Sequence, residues 1–276
     1  MLSLRRSALP LILGVFAWLL ATPAHAGPPF VTDDPEPVDF QHWEVYLATL
    51  QIHNDSGWNG TLPHVEVNYG VLPDVQLHAI APAGYTKAPG ESMQYGYSDT
   101  ELGIKYRFIH ETPDMPQVGI FPLVELPTGN SLYGLGNGKA QVYLPLWIQK
   151  TFGAWQTYGG GGYWINPGPG NHDWWFEGWQ IQRKITEKLN IGAEIFHEGA
   201  QGGVGPTVGM IPPNGASCTA INFGAIYDIN DNYHLMFTAG HTVQGPSAFI
   251  GYFAIQWTFG PEEKKPEPEK DSKSGK

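Results

Sequence analysis

Ala220-Ile221-Asn222-Phe223-Gly224-Ala225-Ile226-Tyr227-Asp228-Ile229 alternates along its whole length. Ile221, Phe223, Ala225, Tyr227 and Ile229 fall on one face, and Asn222, Gly224, Ile226 and Asp228 on the other. Successive residues of a strand point to opposite faces, so this stretch reads as a strand with one apolar and one wet side. The segment before it behaves alike: in Leu189–Glu198, Leu189, Ile191, Ala193 and Ile195 oppose Asn190, Glu194 and Glu198. In Tyr97–His110, Leu102, Ile104, Tyr106 and Phe108 oppose Glu101, Lys105 and Arg107. A soluble sandwich also alternates in this way, so the connections have to decide.

Working outward, twelve strands are expected between residues 42 and 259: His42–Ile52, Leu62–Val71, Val75–Tyr85, Tyr97–His110, Gln117–Leu126, Ala140–Thr151, Trp155–Asn166, Asp173–Ile185, Leu189–Glu198, Ala220–Ile229, Tyr233–Val243 and Ala248–Phe259. Their connections alternate in length. Leu72-Pro73-Asp74, Glu111–Pro116, Phe152–Ala154, Thr186–Lys188 and Asn230–Asn232 are tight and carry turn residues. Asn54–Thr61, Thr86–Gly96, Gly129–Lys139, Pro167–His172 and Gly199–Thr219 are long and rich in Gly, Pro, Asn or Ser, with only Gln244–Ser247 short on that side. Short turns at one end and long loops at the other are the habit of an outer-membrane barrel. The expectation is an all-β, antiparallel transmembrane β-barrel of about twelve strands. Asp173–Ile185 fits either phase poorly, because Gln180 or Glu177 must point outward, and a bulge is expected there.

Aromatic placement sharpens that reading. Trp43, Tyr69, Tyr106, Phe108, Trp155, Tyr227, Tyr233, Trp257 and Phe259 lie on apolar faces at strand ends beside short turns or a terminus. A bilayer interface favours such rings at one level, and a sandwich core has no need of them. The closing strand, with Phe253, Ile255, Trp257 and Phe259 outward, has the aromatic ending that barrel-insertion machinery reads.

Met1–Ala26 has the parts of a signal peptide: Arg5 and Arg6, the apolar run Leu9–Leu20, and the Ala24-His25-Ala26 cleavage pattern. Residues 27–41 follow as a Pro- and Asp-rich periplasmic lead-in with too few apolar side chains to pack as an element, its Asp33, Asp34, Glu36 and Asp39 solvated, and placed to occupy the periplasmic mouth of the barrel. The barrel spans 42–260 and a charged, disordered tail 261–276. Both termini are expected on the periplasmic side of the cell outer membrane of a Gram-negative envelope. Cys218 is the only cysteine, so no intrachain disulfide forms. The chain carries a net charge of −11. Loss of Arg5 and Arg6 makes it about two charges more negative, a balance opposed to nucleic-acid binding.

Pro28-Pro29-Phe30-Val31-Thr32-Asp33-Asp34-Pro35-Glu36-Pro37, then His42-Trp43-Glu44-Val45-Tyr46, Thr100–Phe108 and Phe121–Gly129 together resemble the MetA-pathway of phenol degradation family of outer-membrane proteins. The likeness covers nearly the whole mature chain and implies a transporter-like barrel linked to aromatic compounds. It implies no catalytic residues, and the charged tail departs from the family pattern.

No catalytic motif competes. Outer-membrane phospholipase A also has twelve strands, but its His-x-Ser signature is absent, and no Gly-x-Ser-x-Gly elbow occurs. His241 and Ser247, six residues apart, have the wrong spacing for neighbours on one strand face. His64 with Glu66, and Glu194 with Glu198, could share a face and ligate an ion, although polar groups facing a wet lumen need no such reason. Gly159–Gly162 lies within a strand, where it can thin the wall, and not in a phosphate loop. No metal or cofactor is expected.

The lumen remains. Glu44, Glu66, Glu101, Glu125, Glu194, Glu198 and Asp228 point inward by phase, against Lys105 and Arg107, with Tyr46, Trp147, Tyr158, Trp164, Phe196 and Tyr252 among them. An acidic lumen favours cations, and inward rings stack on flat solutes. A filled interior, with Glu101 or Glu125 paired to Lys105 and Arg107, is the alternative. The expected function is passive uptake of small molecules, aromatic or hydrophobic ones foremost, by a barrel that is not an enzyme. A non-conducting barrel binding through Gly199–Thr219, or a lipid-modifying enzyme using His241, stands behind it. The expected partners are outer-membrane lipids, a small-molecule solute and the insertion machinery.

Overall fold

The computed structural model describes residues 28–203, 209, 211 and 215–261; the leader, nearly all of the tail and part of the loop 199–217 lie outside the described residues. Fourteen strand segments form a single antiparallel sheet: β1 Trp43–Asn54, β2 Gly57–Leu72, β3 Val75–Lys87, β4 Gln94–Tyr97, β5 Thr100–Ile109, β6 Gln117–Ile120, β7 Leu123–Leu126, β8 Gln141–Phe152, β9 Trp155–Ile165, β10 Trp174–Thr186, β11 Leu189–Glu198, β12 Cys218–Asp228, β13 Tyr233–Gln244 and β14 Ala248–Phe259. β4 and β5 are one wall strand broken at Ser98-Asp99, and β6 and β7 another broken at Phe121-Pro122, so the walls number twelve. β14 pairs with β1 along its length, from Trp43 opposite Phe259 to Asn54 opposite Ala248. The sheet therefore closes, and among the described strands only the short β4, paired with β3 alone, keeps an unpaired edge.

Each short turn has a local cause. Asp74 takes φ 64° between β2 and β3, the left-handed conformation that Asp tolerates in tight turns. The Asn230 side-chain oxygen accepts from the backbone N–H of Asn232 and Tyr233, folding β13 back on β12. The expected long loop at 54–61 is instead a two-residue hairpin at Asp55-Ser56, with β2 starting at Gly57. Its Gly and Asn residues mark strand irregularity: Gly57 has φ 110°, and just beyond, the register shifts between Thr61 and His64, across Pro63. The irregularity expected within 173–185 falls at its far end: β10 stays in register with β9 from Trp174 to Arg183 and shifts against β11 between Lys184 and Thr186. Trp175, Trp179 and Ile181 face out with Glu177 among them, while Gln180 and Gln182 face in and are buried.

The fold is inside out relative to a soluble protein. Outward positions are apolar and exposed, such as Leu47, Ile104, Leu146, Ile195, Phe223 and Phe253. Buried positions include Gln76, Gln117, Gln149, Gln180, Asn222 and Gln256 beside Tyr46, Trp147, Tyr158 and Phe196. In water the outward face would be an apolar surface far larger than monomeric soluble proteins expose.

Residues 28–41 overturn the reading of a solvated lead-in. They enter the barrel at the short-turn end and cross its lumen. Phe40 bridges Gly70 of β2, and the Val38 N–H donates to Gln76 of β3 at 2.9 Å. Further along, the Val31 and Thr32 N–H groups donate to Glu194 of β11, and the Pro29 carbonyl accepts from Thr238 of β13 at 3.0 Å. Phe30, Thr32, Asp34 and Val38 are buried. The barrel wall supplies the apolar surface and the polar partners that the segment lacks, so it packs without a core of its own. The wall is thinned along this path: a Cβ on Gly178 would stand 2.2 Å from Thr32 Oγ1, and one on Gly119 3.0 Å from Pro35 Cβ.

Candidate functional site

The crossing segment, called the strap below, anchors on charges from the wall. Lys105 Nζ lies 2.9 Å from Asp33 and 3.6 Å from Asp34. Arg107 donates to Asp74 at 2.7 Å and to Gln117 at 3.0 Å, with Glu36 at 3.9 Å. The two lumen cations thus pair with the strap and a turn, not with Glu101 or Glu125 as the filled-interior alternative required. Glu36 in turn accepts from the side-chain amides of Gln117 and Gln149. The Asp34 carboxyl is fully buried beside the Lys105 ammonium.

Glu194 is the strongest anchor. Its carboxylate accepts the Val31 N–H at 2.9 Å, the Thr32 N–H at 2.8 Å and the Asn222 side-chain amide at 2.7 Å. Two strap residues are thereby held by their backbone, whatever their side chains.

Above the strap, on the long-loop side, a cavity of about 370 Å³ is lined partly by Pro28, Phe30, Val31 and Asp33. One part of its wall is aromatic. Tyr143, Trp164 and Trp174, on neighbouring strands, stack with centroids 4.7 and 5.5 Å apart, and Trp147 and Phe176 pack edge-on against Tyr143. Another part is acidic, with Glu44, Glu66, Glu101, Glu125 and Glu198. A vestibule of about 590 Å³ lies further toward the long loops. Leu50, Ile80, Glu101, Glu125, Glu198, Trp164 and Trp174 line both spaces and form the passage between them. The break at Ser98-Asp99 shapes the vestibule wall: the Asp99 carboxylate accepts the N–H groups of Gly129 at 2.8 Å and Asn137 at 2.6 Å, tying down the loop between β7 and β8.

The other inward acids are bonded locally. Glu44 accepts from the Tyr46 hydroxyl at 2.7 Å, Glu66 from the Asn68 amide at 2.8 Å and Glu198 from Gln201 at 3.1 Å. His78 Nε2 stands 2.8 Å from Glu101, and His234 Nδ1 2.6 Å from Asp228. His64 bonds Thr61 and makes no shared site with Glu66. Among the described residues no group of three or more His, Cys, Asp or Glu could hold a metal.

On the outside, Trp43 stacks on Tyr69 at 4.2 Å, Trp257 packs on Phe259 at 4.2 Å, and Tyr233 stacks on Trp257 at 6.3 Å. Tyr106, Phe108, Trp155 and Tyr227 are exposed on the same outer surface near the short-turn end. Trp58, Tyr95, Trp175 and Phe249 are exposed near the long-loop end, a second aromatic level that the sequence reading missed. The loop expected over 54–61 takes Trp58 out of any strand, and the segment 173–185 offers no single phase to place Trp175, so alternation alone does not bring these rings to one level. The turn between β13 and β14 also brings Ser247 Oγ to 3.4 Å from His241 Nε2, closer than sequence spacing suggested. His241 Nδ1 faces the Thr242 carbonyl at 2.8 Å, and among the described residues no carboxylate or amide side chain orients the ring.

No family model matches the chain, and no curated protein matches it. Solved structures do. An outer membrane channel from Pseudomonas putida F1 superposes with TM-score 0.63 at 12% identity, covering 85% of this chain and 100% of that one. The KdgM porin in complex with disordered oligogalacturonate gives TM-score 0.53 at 8% identity over 78% of this chain and 99% of that one. The NanC porin gives 0.51 at 6% identity over 77% and 98%. At such identities the likeness establishes the barrel fold and nothing about solute.

Proposed function

We propose that this chain is an outer-membrane barrel, exported by its leader and inserted through its aromatic-ended closing strand, that takes up small molecules passively, aromatic or hydrophobic ones foremost. Phenol-type compounds, as the family resemblance implies, fall in that class. The observation that carries the reading is the pair of joined cavities, open toward the long loops and walled by Tyr143, Trp147, Trp164, Trp174 and Phe176. Rings of this kind hold flat apolar solutes by offset stacking and edge contacts. The apolar exterior between two aromatic levels supports a membrane location, and the first and last strands both have their outer ends at the short-turn rim, the periplasmic side in such barrels. The solute of the KdgM complex is not carried over. Oligogalacturonate is a polyanion, and the passage here presents three carboxylates.

Conductance of the purified protein in planar bilayers, with and without residues 28–41, tests this. Currents that rise when the strap is removed are expected. A barrel silent in both forms, with aromatic uptake unchanged in a deletion strain, refutes transport. The strap's contacts with nearly every wall favour one competing reading, a non-conducting barrel that binds its ligand from the long-loop side, and that silent result would select it.

A further inference from the structure

The strap runs almost once round the inside of the barrel. From Phe40 beside Gly70 of β2, its path passes Gln76 of β3, then Gln117 of β6 and Gln149 of β8. It continues by Gly178 of β10 and Glu194 of β11 and reaches Thr238 of β13 at Pro29. Only β14 and β1 separate β13 from β2 in the closed sheet. Pro28, the next residue, lines the inner cavity. The leader fixes what precedes it, because cleavage after Ala24-His25-Ala26 leaves Gly27 first. Covalent geometry keeps the new α-amino nitrogen within roughly 5 Å of the Pro28 Cα, so the cut end belongs inside the barrel and not in the periplasm.

Continuing in the same sense past β14 and β1, the first carboxylate at the same height is Glu66 of β2. Thr238 stands five residues from the short-turn end of its strand at Tyr233, and Glu66 six residues from that end of its own at Leu72. Glu44 of β1 sits lower, beside Trp43, and is bonded to the Tyr46 hydroxyl. Glu66 is buried and lines the cavity together with Pro28. It accepts from the Asn68 amide, and among the described residues the one cationic group within reach is His78, at 3.6 Å. That ring is engaged elsewhere, its Nδ1 at 2.7 Å from Asn68 Oδ1 and its Nε2 at 2.8 Å from Glu101. Lys105 and Arg107 are held by Asp33 and Asp74. A buried carboxylate without a close cation is costly, and the chain's own new terminus is the cation that the path of the strap delivers to it.

Resting on the leader-dependent export read above, we infer that cutting the leader creates the strap's last anchor: the α-ammonium of Gly27 pairs with Glu66 inside the barrel. The pair closes the ring between β13 and β2, holds the strap at both ends and offsets one charge of the acidic wall. Processing and docking are thereby coupled. A chain that keeps its leader has no ammonium at this place. Its 26 extra residues, about 39 Å long even as a helix, have no room in a cavity of about 370 Å³. The strap locks only after the cut.

The intact mass of the barrel purified from outer membranes comes first and should show a chain that begins at Gly27. The charge is then removed at constant length. Gly27→Gln carries a terminal glutamine, which glutaminyl cyclase converts to uncharged pyroglutamate on the urea-unfolded chain, and both forms are refolded into vesicles. Strap docking is read as maleimide labelling of Thr32→Cys in a Cys218→Ser background. The cyclised form should label at least roughly tenfold faster than the uncyclised one, the lower end of what a hydrogen bond to a charged group contributes. In Glu66→Gln the two forms should label alike. Where that variant lacks native electrophoretic mobility, Glu66→Asp, with its shorter reach, should narrow the ratio. A ratio within twofold in the parent, a ratio untouched by the Glu66 substitutions, or a mature chain that starts elsewhere overturns the inference. Conductance of the same samples is read separately. A silent barrel that keeps the ratio defeats only the uptake reading, and a conducting barrel without it defeats only this inference.

Discussion

Replacing Glu194 with alanine should loosen the strap more than any other single change in the wall. The native carboxylate accepts two strap N–H groups, at 2.9 and 2.8 Å, and the amide of Asn222 at 2.7 Å. Hydrogen bonds to a charged group contribute about 1.5–3 kcal/mol each. Thr32 is fully buried, so its N–H is left without a partner unless water follows. Allowing for that water, and for the removed cost of burying a carboxylate, a net loss of about 3 kcal/mol in strap docking is reasonable, on the order of a hundredfold in the undocked population. The assay is maleimide labelling of Thr32→Cys in a Cys218→Ser background, because the native thiol, although buried, would otherwise blur the signal. When opening and closing are fast relative to labelling, the rate follows the undocked population. A rise of roughly a hundredfold is expected for Glu194→Ala, and a smaller one for Glu194→Gln, which keeps one acceptor. A labelling rate within twofold of the parent, on a barrel of unchanged electrophoretic mobility, would refute the claim that this carboxylate holds the strap.

Other perturbations follow the same geometry. Lys105→Met strands Asp33 and Asp34, the latter fully buried, and should cost about 3–5 kcal/mol, read as a lower urea midpoint in lipid vesicles; an unchanged midpoint would show that the pair is not formed. Gly178→Val drives a side chain into Thr32 and should raise labelling at Thr32→Cys as Glu194→Ala does; labelling at the parent rate would show that the strap does not pass this close to β10. In single-tryptophan variants, brominated lipid should quench Trp43, Trp179 and Trp257, which are exposed on the outer wall, and spare Trp147 and Trp164, which are buried within. Quenching of the inner pair to the same extent would mean that lipid is not what covers the outside.

Strand count and facing were legible because a two-residue period survives any error at a strand end. Ile221, Phe223 and Tyr227 face out, and Asn222 is buried within, as the alternation alone requires. What misled was glycine, proline and asparagine inside strands. Gly57 and Asn59 read as a loop, yet they belong to a β2 kinked by a register shift. The strap was illegible for a different reason. It has no period, and its partners are single polar residues scattered over β2 to β13, each unremarkable on its own strand. The one trace it leaves is in the wall, where Gly119, Gly178 and Gly224 each stand within about 3 Å of a strap atom once given a Cβ, and glycine in a strand reads as irregularity before it reads as a groove. The acids of the passage were placed inward by phase, but the absence of a cation beside Glu125 depended on where Lys105 and Arg107 went.

The reach of the strap constrains the order of assembly. Its contacts run from Gly70 and Gln76 on β2 and β3, through Lys105 and Gln149, to Glu194 and Thr238 on β11 and β13. These wall residues come together only once β14 has paired with β1, since until then β2 and β13 belong to opposite edges of an open sheet. Pairings this distant in sequence form slowly, because loop-closure entropy is spent before the contacts return it. The strap, being attached to β1, cannot enter through a finished wall and must already lie on the inner side, undocked, when the barrel closes. Barrel formation should therefore precede strap protection. In refolding from urea into vesicles, the shift in electrophoretic mobility should appear first and protection of Thr32→Cys from maleimide second, with Glu194→Ala delaying only the second. Protection that arises before the mobility shift would mean that the strap binds an open sheet, and that it templates the barrel instead of filling it.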